Sequence, residues 1–382
     1  SAVNFKYYSD IVKANSVRRM LIKGGQNIIE KSYTDEDKED ILNFAESQVF
    51  SISEKEESST LELIGRPNGA LKEVVDKFDK IAKDPTALRG ISTGYKDFDA
   101  ITNGLQKSDL ILLAARPSVG KTSFAMNIMT NIALSGKTCA VFSLEMPKTH
   151  LAQRALCSIA KVPMNKALSG KMQAEEWKRI WVATKKLENT KLFIDDSSMT
   201  TPATLLSKCR RLKAKEGSLD VVMVDYLQLM KNEGRASDNR QNEISAISRS
   251  LKVAAKELNV PIIVLSQLSR DIEKREGHKP QLSDLRDSGA IEQDADIVMF
   301  LHNPEKYNDI PSGDDPGVVE LILAKHRNGQ TGTVKLRWIG QYTTFVNLDE
   351  KVKVEEKPKE NDITEEVALS EVENVDFFDD EE

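Results

Sequence analysis

The sequence is poor in cysteine, histidine and aromatic residues. Three cysteines among 382 residues, Cys139, Cys157 and Cys209, are odd in number and far apart. They fit reduced cytosolic thiols better than a disulfide framework or a zinc site. The four histidines, His150, His278, His302 and His326, lack metal-site spacing and read as surface residues. Apolar runs are short: none approaches the roughly 18 residues of a membrane-spanning helix. The opening SAVNFKYYSDIVK has no apolar signal-peptide segment. The expectation is a cytoplasmic protein with no membrane partner.

A strong charge of one sign is also missing from the body of the chain. The net charge is −6, yet residues 351–382 hold thirteen acidic and four basic side chains, a tail charge of −9 that leaves the first 350 residues at +3. A mildly basic body with an acidic tail is compatible with nucleic-acid binding. What is abundant suffices for a core: 40 % of residues are hydrophobic, and the length suits one large domain with a smaller one.

Residues 1–50 carry helical periodicity, with Ile11, Val12, Met20, Leu21, Ile28 and Ile29, then Ile41, Leu42, Ala45 and Val49. A helical pair this short cannot bury a full core. Residues 51–90 form a linker, Ser- and Glu-rich at first. It contains an amphipathic helix at 71–82 whose Leu71, Val74, Val75, Phe78 and Ile81 share one side. From 91 to 350 strands alternate with helices. This predicts an α/β domain with a mostly parallel sheet and an antiparallel edge from its closely spaced last strands. Residues 268–296 read as one long polar loop. The tail, 351–382, is charged and poor in apolar residues, so disorder is expected.

Within that pattern one stretch carries chemistry. Leu110–Ala115 is a buried strand, Arg116-Pro117-Ser118-Val119-Gly120-Lys121-Thr122 follows, and an apolar helix comes next. This is the strand–loop–helix setting of a P-loop. Gly120 lets the backbone approach a phosphate, and the loop N–H groups of Ser118 to Ser123 and the helix end attract it. Lys121 would reach the β/γ-phosphates and the Thr122 hydroxyl would hold Mg²⁺. Ala115 stands where the general pattern has its first glycine. Asp225 ends the apolar strand VVMVD, where a carboxylate is costly unless it meets water or a cation; there it fits the Mg²⁺ shell. Glu145 ends a strand in SLEM and is the candidate to activate water. Gln267 ends another in VLSQL and could sense the γ-phosphate. Arg286, Asp287, Ser288 and Gly289 offer donors to a phosphodiester backbone, and Arg235 and Arg240 mark a second candidate DNA loop. Lys325 and Arg327 close a strand before a turn, suited to an arginine finger if subunits form a ring.

These stretches, from ISTGYKDFDAITNGL through LAARPSVGKTSFAMN, FSLEMP, DVVMVDYLQLM, NEISAISRSLKVAAKELNVPIIVLSQLSR and SDLRDSGAIEQDADIVMF to AKHRNGQTG, occur in the order of the DnaB-type hexameric replicative helicases of bacteria and phages. The chain resembles that family from Ser1 to about Leu348. Ala115 is usual there, while Ser108 stands where the family commonly has glycine, which concerns a turn and not the catalysis. The resemblance implies a RecA-like motor domain and a homohexamer with ATP and Mg²⁺ at subunit interfaces. It also implies 5′→3′ translocation on single-stranded DNA, with duplex unwinding at the replication fork. By position it makes Glu145 the catalytic glutamate and Gln267 the residue that couples nucleotide to DNA. Lys325 and Arg327 become the trans-acting pair, and 71–82 the linker helix that grips the adjacent motor domain. Residues 1–50 match the end of an N-terminal helical domain, so the sequence is expected to begin inside that domain. Primase and a helicase loader are expected partners. Two alternatives stand beside this reading: a RecA/KaiC-like DNA-stimulated ATPase without unwinding activity, and a DNA-binding ring or adaptor whose ATP site governs assembly.

Overall fold

Strand β1 (Leu110–Ala115) is buried along its whole length, because it lies inside a nine-stranded sheet covered on both faces. The computed structural model describes residues 2–34, 69–84, 90–197, 200–230, 240–275, 277–285, 289–307 and 317–349, with isolated positions between 38 and 65. The proposed acidic tail and most of the first linker lie outside the described residues. The strands are β2 (Thr138–Ser143), β3 (Lys191–Asp195), β4 (Val221–Asp225), β5 (Ile262–Gln267), β6 (Ile297–His302), β7 (Val318–His326), β8 (Gly332–Ile339) and β9 (Thr344–Asn347), in the order β3-β2-β4-β5-β1-β6-β7-β8-β9. The first six run parallel and the last three are added antiparallel. The expected mostly parallel α/β sheet with an antiparallel edge is therefore present.

Side chains alternate between two apolar layers with the strand period of two. Ile111 and Leu113 join Phe124, Met126, Ile128 and Met223 in one layer; Leu110, Leu112 and Ala114 join Leu251, Val264 and Phe300 in the other. Helices α1 (Ala2–Ser32), α2 (Ala70–Lys83) and α3 (Lys96–Thr102) precede β1, and α4 (Lys121–Leu134) follows it. Between β2 and β3 the chain forms three helices, α5 (Lys148–Ala160), α6 (Met164–Ser169) and α7 (Ala174–Glu188). The breaks have local causes. Lys161 takes a left-handed φ of 53° ahead of Pro163, and Gly170 does the same at 69°, after which Gln173 and Glu176 form a capping box. Helix α8 (Pro202–Glu216) leads into β4, and α9 (Arg240–Leu258) into β5.

The stretch 268–296 is more ordered than a polar loop. Two short 3-10 turns, Arg270–Lys274 and Leu282–Asp284, are joined by a two-pronged ion pair from Arg275 to Asp284 at 3.0 and 2.9 Å, and a short helix, α10 (Gly289–Asp294), completes it. The surface reading of the histidines also needs correction. His302 on β6 is buried, and Tyr307 stacks on both it and His278, with centroids 5.9 and 4.5 Å apart. Among the described residues no three or more histidine, cysteine, aspartate or glutamate side chains cluster as a metal-holding group, and no helix is long and apolar enough to cross a membrane. All three cysteines are free and buried, and burial pushes the Cys139 and Cys209 thiols up to about 12.

In the N-terminal segment α1 runs unbroken through Gly24 and Gly25, and the stretch after it folds back: the Ile52 methyl lies 3.2 Å from where a Gly24 Cβ would stand, and Asn27 donates to Gln48 at 3.3 Å. Val12, Leu21 and Ile29 nevertheless stay exposed. Helix α2 likewise presents Leu71, Val74, Val75 and Phe78 to solvent.

The strand ends remote from the P-loop hold a charge cluster. Ser108 adopts φ 64°, the conformation for which glycine is the usual choice. Its hydroxyl donates to Asn259 at 3.0 Å, and Lys252 donates to its carbonyl at 2.9 Å while pairing with Asp296. Asp109, beside them, is raised to about 6, first by burial and then by the Asp296 charge, with Lys252 opposing. Its folded pKa lies above its unfolded one, so the folded chain holds an extra proton between 3.8 and about 6. Stability from this group therefore falls as pH rises through that window. Asp109→Asn removes the effect. The variant should gain on the parent by on the order of 2–3 kcal/mol between pH 4 and pH 7, read as a melting-temperature difference that widens across the window and then levels.

Candidate active site

The P-loop turns directly out of β1 into α4. Gly120, at φ 103°, is the residue that makes the turn. It also sits against an aromatic wall, since a Cβ there would lie 3.0 Å from the Phe345 ring, with Trp338 next to it. Phe345 is held in turn by a hydrogen bond from its own N–H to Asn127 at 2.8 Å and by an edge-to-face contact with Phe124. The antiparallel edge of the sheet therefore supports the P-loop from below.

Thr122, in the first turn of α4, donates its hydroxyl to Asp225 Oδ2 at 2.8 Å. Asp225 is fully buried, and its second oxygen has no hydrogen-bond partner. Burial raises its pKa, against the Lys121 charge and the Thr122 bond. Burial lowers that of Lys121, against the charges of Asp225 and Glu145. Both shifts describe groups short of a counter-charge: an anion for Lys121 and a cation for Asp225. The Lys121 ammonium lies 4.8 Å over the Tyr226 ring, a cation–π contact that substitutes for a phosphate partner.

Glu145 reaches the same cleft through a tight turn. Ser143 donates to the Met146 carbonyl at 2.7 Å, and Leu144 N donates to the Asp225 carbonyl at 2.7 Å. Glu145 itself is exposed. Gln267 pairs in register with Ala115, which sets it at the lip. The cleft, about 310 Å³, brings together Ser118, Gly120, Lys121, Thr122, Ser123, Glu145 and Gln267. A larger space of about 850 Å³ opens near Asp109 and Lys137 and contains none of these groups.

Two cleft residues carried no assignment from sequence. Arg154 of α5 approaches Ser123 at 3.5 Å. Arg116 donates to the Leu268 carbonyl at 2.8 Å and to Glu273 at 2.6 Å. Arg116 lies inside the P-loop motif, which was a usable signal. Arg154 is one of several cations on a helix, and nothing local distinguishes it.

Lys325 and Arg327 lie elsewhere. Lys325 is in register with Val298, and Arg327 N donates to the Asp296 carbonyl. Asp296 N donates in turn to the carbonyl of Leu110, at the start of β1. The P-loop leaves the other end of β1, five residues on, a rise of roughly 16 Å. Arg235, Arg286, Asp287 and Ser288 lie outside the described residues. Arg240 and Gly289 are described in backbone only, as the first residues of α9 and α10.

Residues 90–347 match the DnaB-like helicase C terminal domain. The replicative DNA helicase DnaB of Geobacillus stearothermophilus is 41 % identical over 353 residues, covering 92 % of this chain and 76 % of that protein. That of Haemophilus influenzae is 45 % identical over 361 residues, with the same coverage. The chain belongs to the DnaB-like replicative helicases. Among solved structures, a DnaB-like replicative helicase studied with primase superposes with a TM-score of 0.77 at 34 % identity, over 91 % of this chain and 80 % of that one. A separately solved ATPase domain gives 0.70 at 36 %, over 74 % of this chain and all of that one. The helicase reading thus stands over the non-unwinding ATPase and the adaptor.

Gly120→Ala places a Cβ at a left-handed φ and against Phe345. Forcing that conformation costs about 1–2 kcal/mol. The variant should melt lower and lose most binding of a fluorescent ATP analogue, measured by thermal shift and anisotropy.

Proposed function

We propose that this DnaB-like chain works as a homohexameric ring that translocates 5′→3′ on single-stranded DNA and unwinds the fork, with each ATP site completed by the next subunit. The observation that carries this is the separation of Lys325 and Arg327 from the P-loop of their own chain. A charge-stabilising pair on the far end of the sheet acts only on a neighbour's nucleotide. Two unlike apolar surfaces support head-to-tail assembly: the α2 stripe of Leu71, Val74, Val75 and Phe78, and the exposed Trp177, Trp181 and Val182 of α7. A contact between two different surfaces of one chain is heterologous, and such contacts close into a ring where the rotation between subunits closes. In this reading α2 is the linker helix joining the helical segment at 1–50 to the motor at 91–350.

Lys121 and the P-loop N–H groups bind the phosphates. The orphan Asp225 oxygen beside the Thr122 hydroxyl is a donor set for a divalent cation, so these two residues would hold Mg²⁺, which neutralises phosphate charge. Glu145, exposed at the lip, takes the proton of the attacking water, and Gln267, at the end of β5 beside the start of the P-loop, reports the γ-phosphate. DNA would be held by Arg286, Asp287, Ser288 and Gly289, with Arg235 and Arg240 on a second segment. Primase is the partner named with one structural relative, and a loader follows from the family resemblance. Work at a bacterial or phage fork is cytoplasmic work.

Glu145→Gln should retain ATP binding and assembly while turnover falls about 10²–10⁴-fold; a loss under twofold would remove Glu145 from that role. Arg327→Ala should lower ATPase by about 10³-fold or more, and mixing it with Lys121→Ala subunits should restore hydrolysis. Mixed rings that assemble by native mass spectrometry yet hydrolyse no faster than either variant would overturn the trans assignment.

A further inference from the structure

Arg327 is seated from inside its own chain by one buried carboxylate. Asp296 lies between α10 and β6, with its side chain only 8 % exposed. Its main chain is fixed twice. Asp296 N donates to the Leu110 carbonyl at 2.9 Å, and the Asp296 carbonyl accepts from Arg327 N at 2.9 Å. The two carboxylate oxygens have separate tasks. Oδ2 accepts from Leu110 N at 2.8 Å and pairs with Lys252 of α9. Oδ1 lies 3.6 Å from one terminal nitrogen of the Arg327 guanidinium, and the other terminal nitrogen donates to the Gln293 carbonyl at 2.6 Å.

Lys325 is held beside it, donating to the carbonyls of Glu292 and Gln293 at 2.5 and 3.3 Å. Both carbonyls belong to the last turn of α10, where such groups lack helical partners and carry the negative end of the helix. Two adjacent cations repel: burial and then the Arg327 charge depress the Lys325 pKa, against Glu292, Asp296 and Asp294. Asp296 offsets that repulsion from the Arg327 side.

One oxygen of Asp296 already meets the needs of the fold. A buried carboxylate must be paired, and Oδ2 has both Lys252 and a main-chain N–H at the start of β1. Oδ1 faces the finger instead. A guanidinium has five N–H donors, so holding it from the inside leaves donors on a side chain that is 48 % exposed. A free arginine samples many rotamers, and ordering it at each turnover costs free energy. Placement also matters for rate, since an error of about 1 Å can cost about 10²-fold.

We propose that Asp296 is the positioning residue of Arg327, its Oδ1 orienting the guanidinium toward the neighbouring subunit's nucleotide. This rests on the trans reading of Arg327. Asp296 stands at the end of β1 remote from its own P-loop. It therefore acts on hydrolysis through Arg327, in the neighbour's site rather than its own.

The test places Asp296→Asn on one chain at a time in mixed rings of full chains. Asparagine keeps an acceptor for Leu110 N and removes the charge facing Arg327. Lys121→Ala chains supply the finger and Arg327→Ala chains supply the P-loop. ATP turnover is read alongside melting temperature and ring assembly by native mass spectrometry. With Asp296→Asn on the finger donor, restored turnover should fall at least fivefold. On the P-loop donor it should leave turnover within twofold, because that chain's own finger is already absent. A loss under fivefold in the finger-donor rings overturns the proposal. So does a comparable loss in both arrangements, which marks a merely structural residue. Should Asp296→Asn fail to fold or assemble, Asp296→Glu takes its place under the same limits; it keeps the charge beside Lys252 but moves it by one methylene. Rings with Asp296 intact separate the two readings. Assembled rings without restored hydrolysis sink the trans assignment and the seat with it, whereas restoration indifferent to Asp296 sinks the seat alone.

Discussion

The Thr122–Asp225 hydrogen bond is the contact on which the rest of the site depends. It ties the first turn of α4 to the end of β4 across β5, the strand that lies between β4 and β1. A buried carboxylate with one oxygen satisfied and one free is costly by itself; it is tolerable where a cation and a bound anion complete the charge balance. The opposing shifts of Asp225 and Lys121 express the same shortage from both sides. Strand order then places the remaining groups. Gln267 ends the strand between the two, and Glu145 follows the strand beyond β4, so four strand ends meet around one cleft. Ligands of open parallel sheets bind at such carboxyl ends.

The antiparallel extension serves both ends of the sheet. At the P-loop end, Phe345 and Trp338 wall the space beside Gly120. At the opposite end, β7 delivers Lys325 and Arg327 to the carbonyls of α10. Three strands added to the six-stranded parallel sheet thus stiffen the chain's own site and carry cations away from it. Membership in the DnaB-like replicative helicases gives both arrangements a setting in ATP-driven motor action.

Local pattern made much of this legible in the sequence. The run Leu110–Ala115 followed by GKT predicted a buried strand turning through glycine into a helix, and β1, Gly120 and α4 form that unit. VVMVD announced Asp225, because a carboxylate closing an apolar strand needs a reason. The alternation of strands and helices gave a mostly parallel sheet, and close spacing of the last strands gave its antiparallel edge. Even the turn at Ser108 was marked by its departure from the family's glycine, and the backbone there is left-handed.

Other features were decided by the fold alone. Arg154 enters the cleft and His302 is buried because of which helix or strand passes which neighbour, and one cation among several, or one histidine among four, carries no such mark locally. Lys325 and Arg327 were visible as a pair, but their distance from their own P-loop follows from strand register, which sequence spacing does not encode. The cradle at the end of α10 is built from main-chain carbonyls, and these are the same for every residue type. Sequence thus determined which residues carry chemistry, because chemistry depends on side-chain identity. Tertiary structure decided which of them meet in one subunit, because that depends on strand order and register set by packing across the whole sheet.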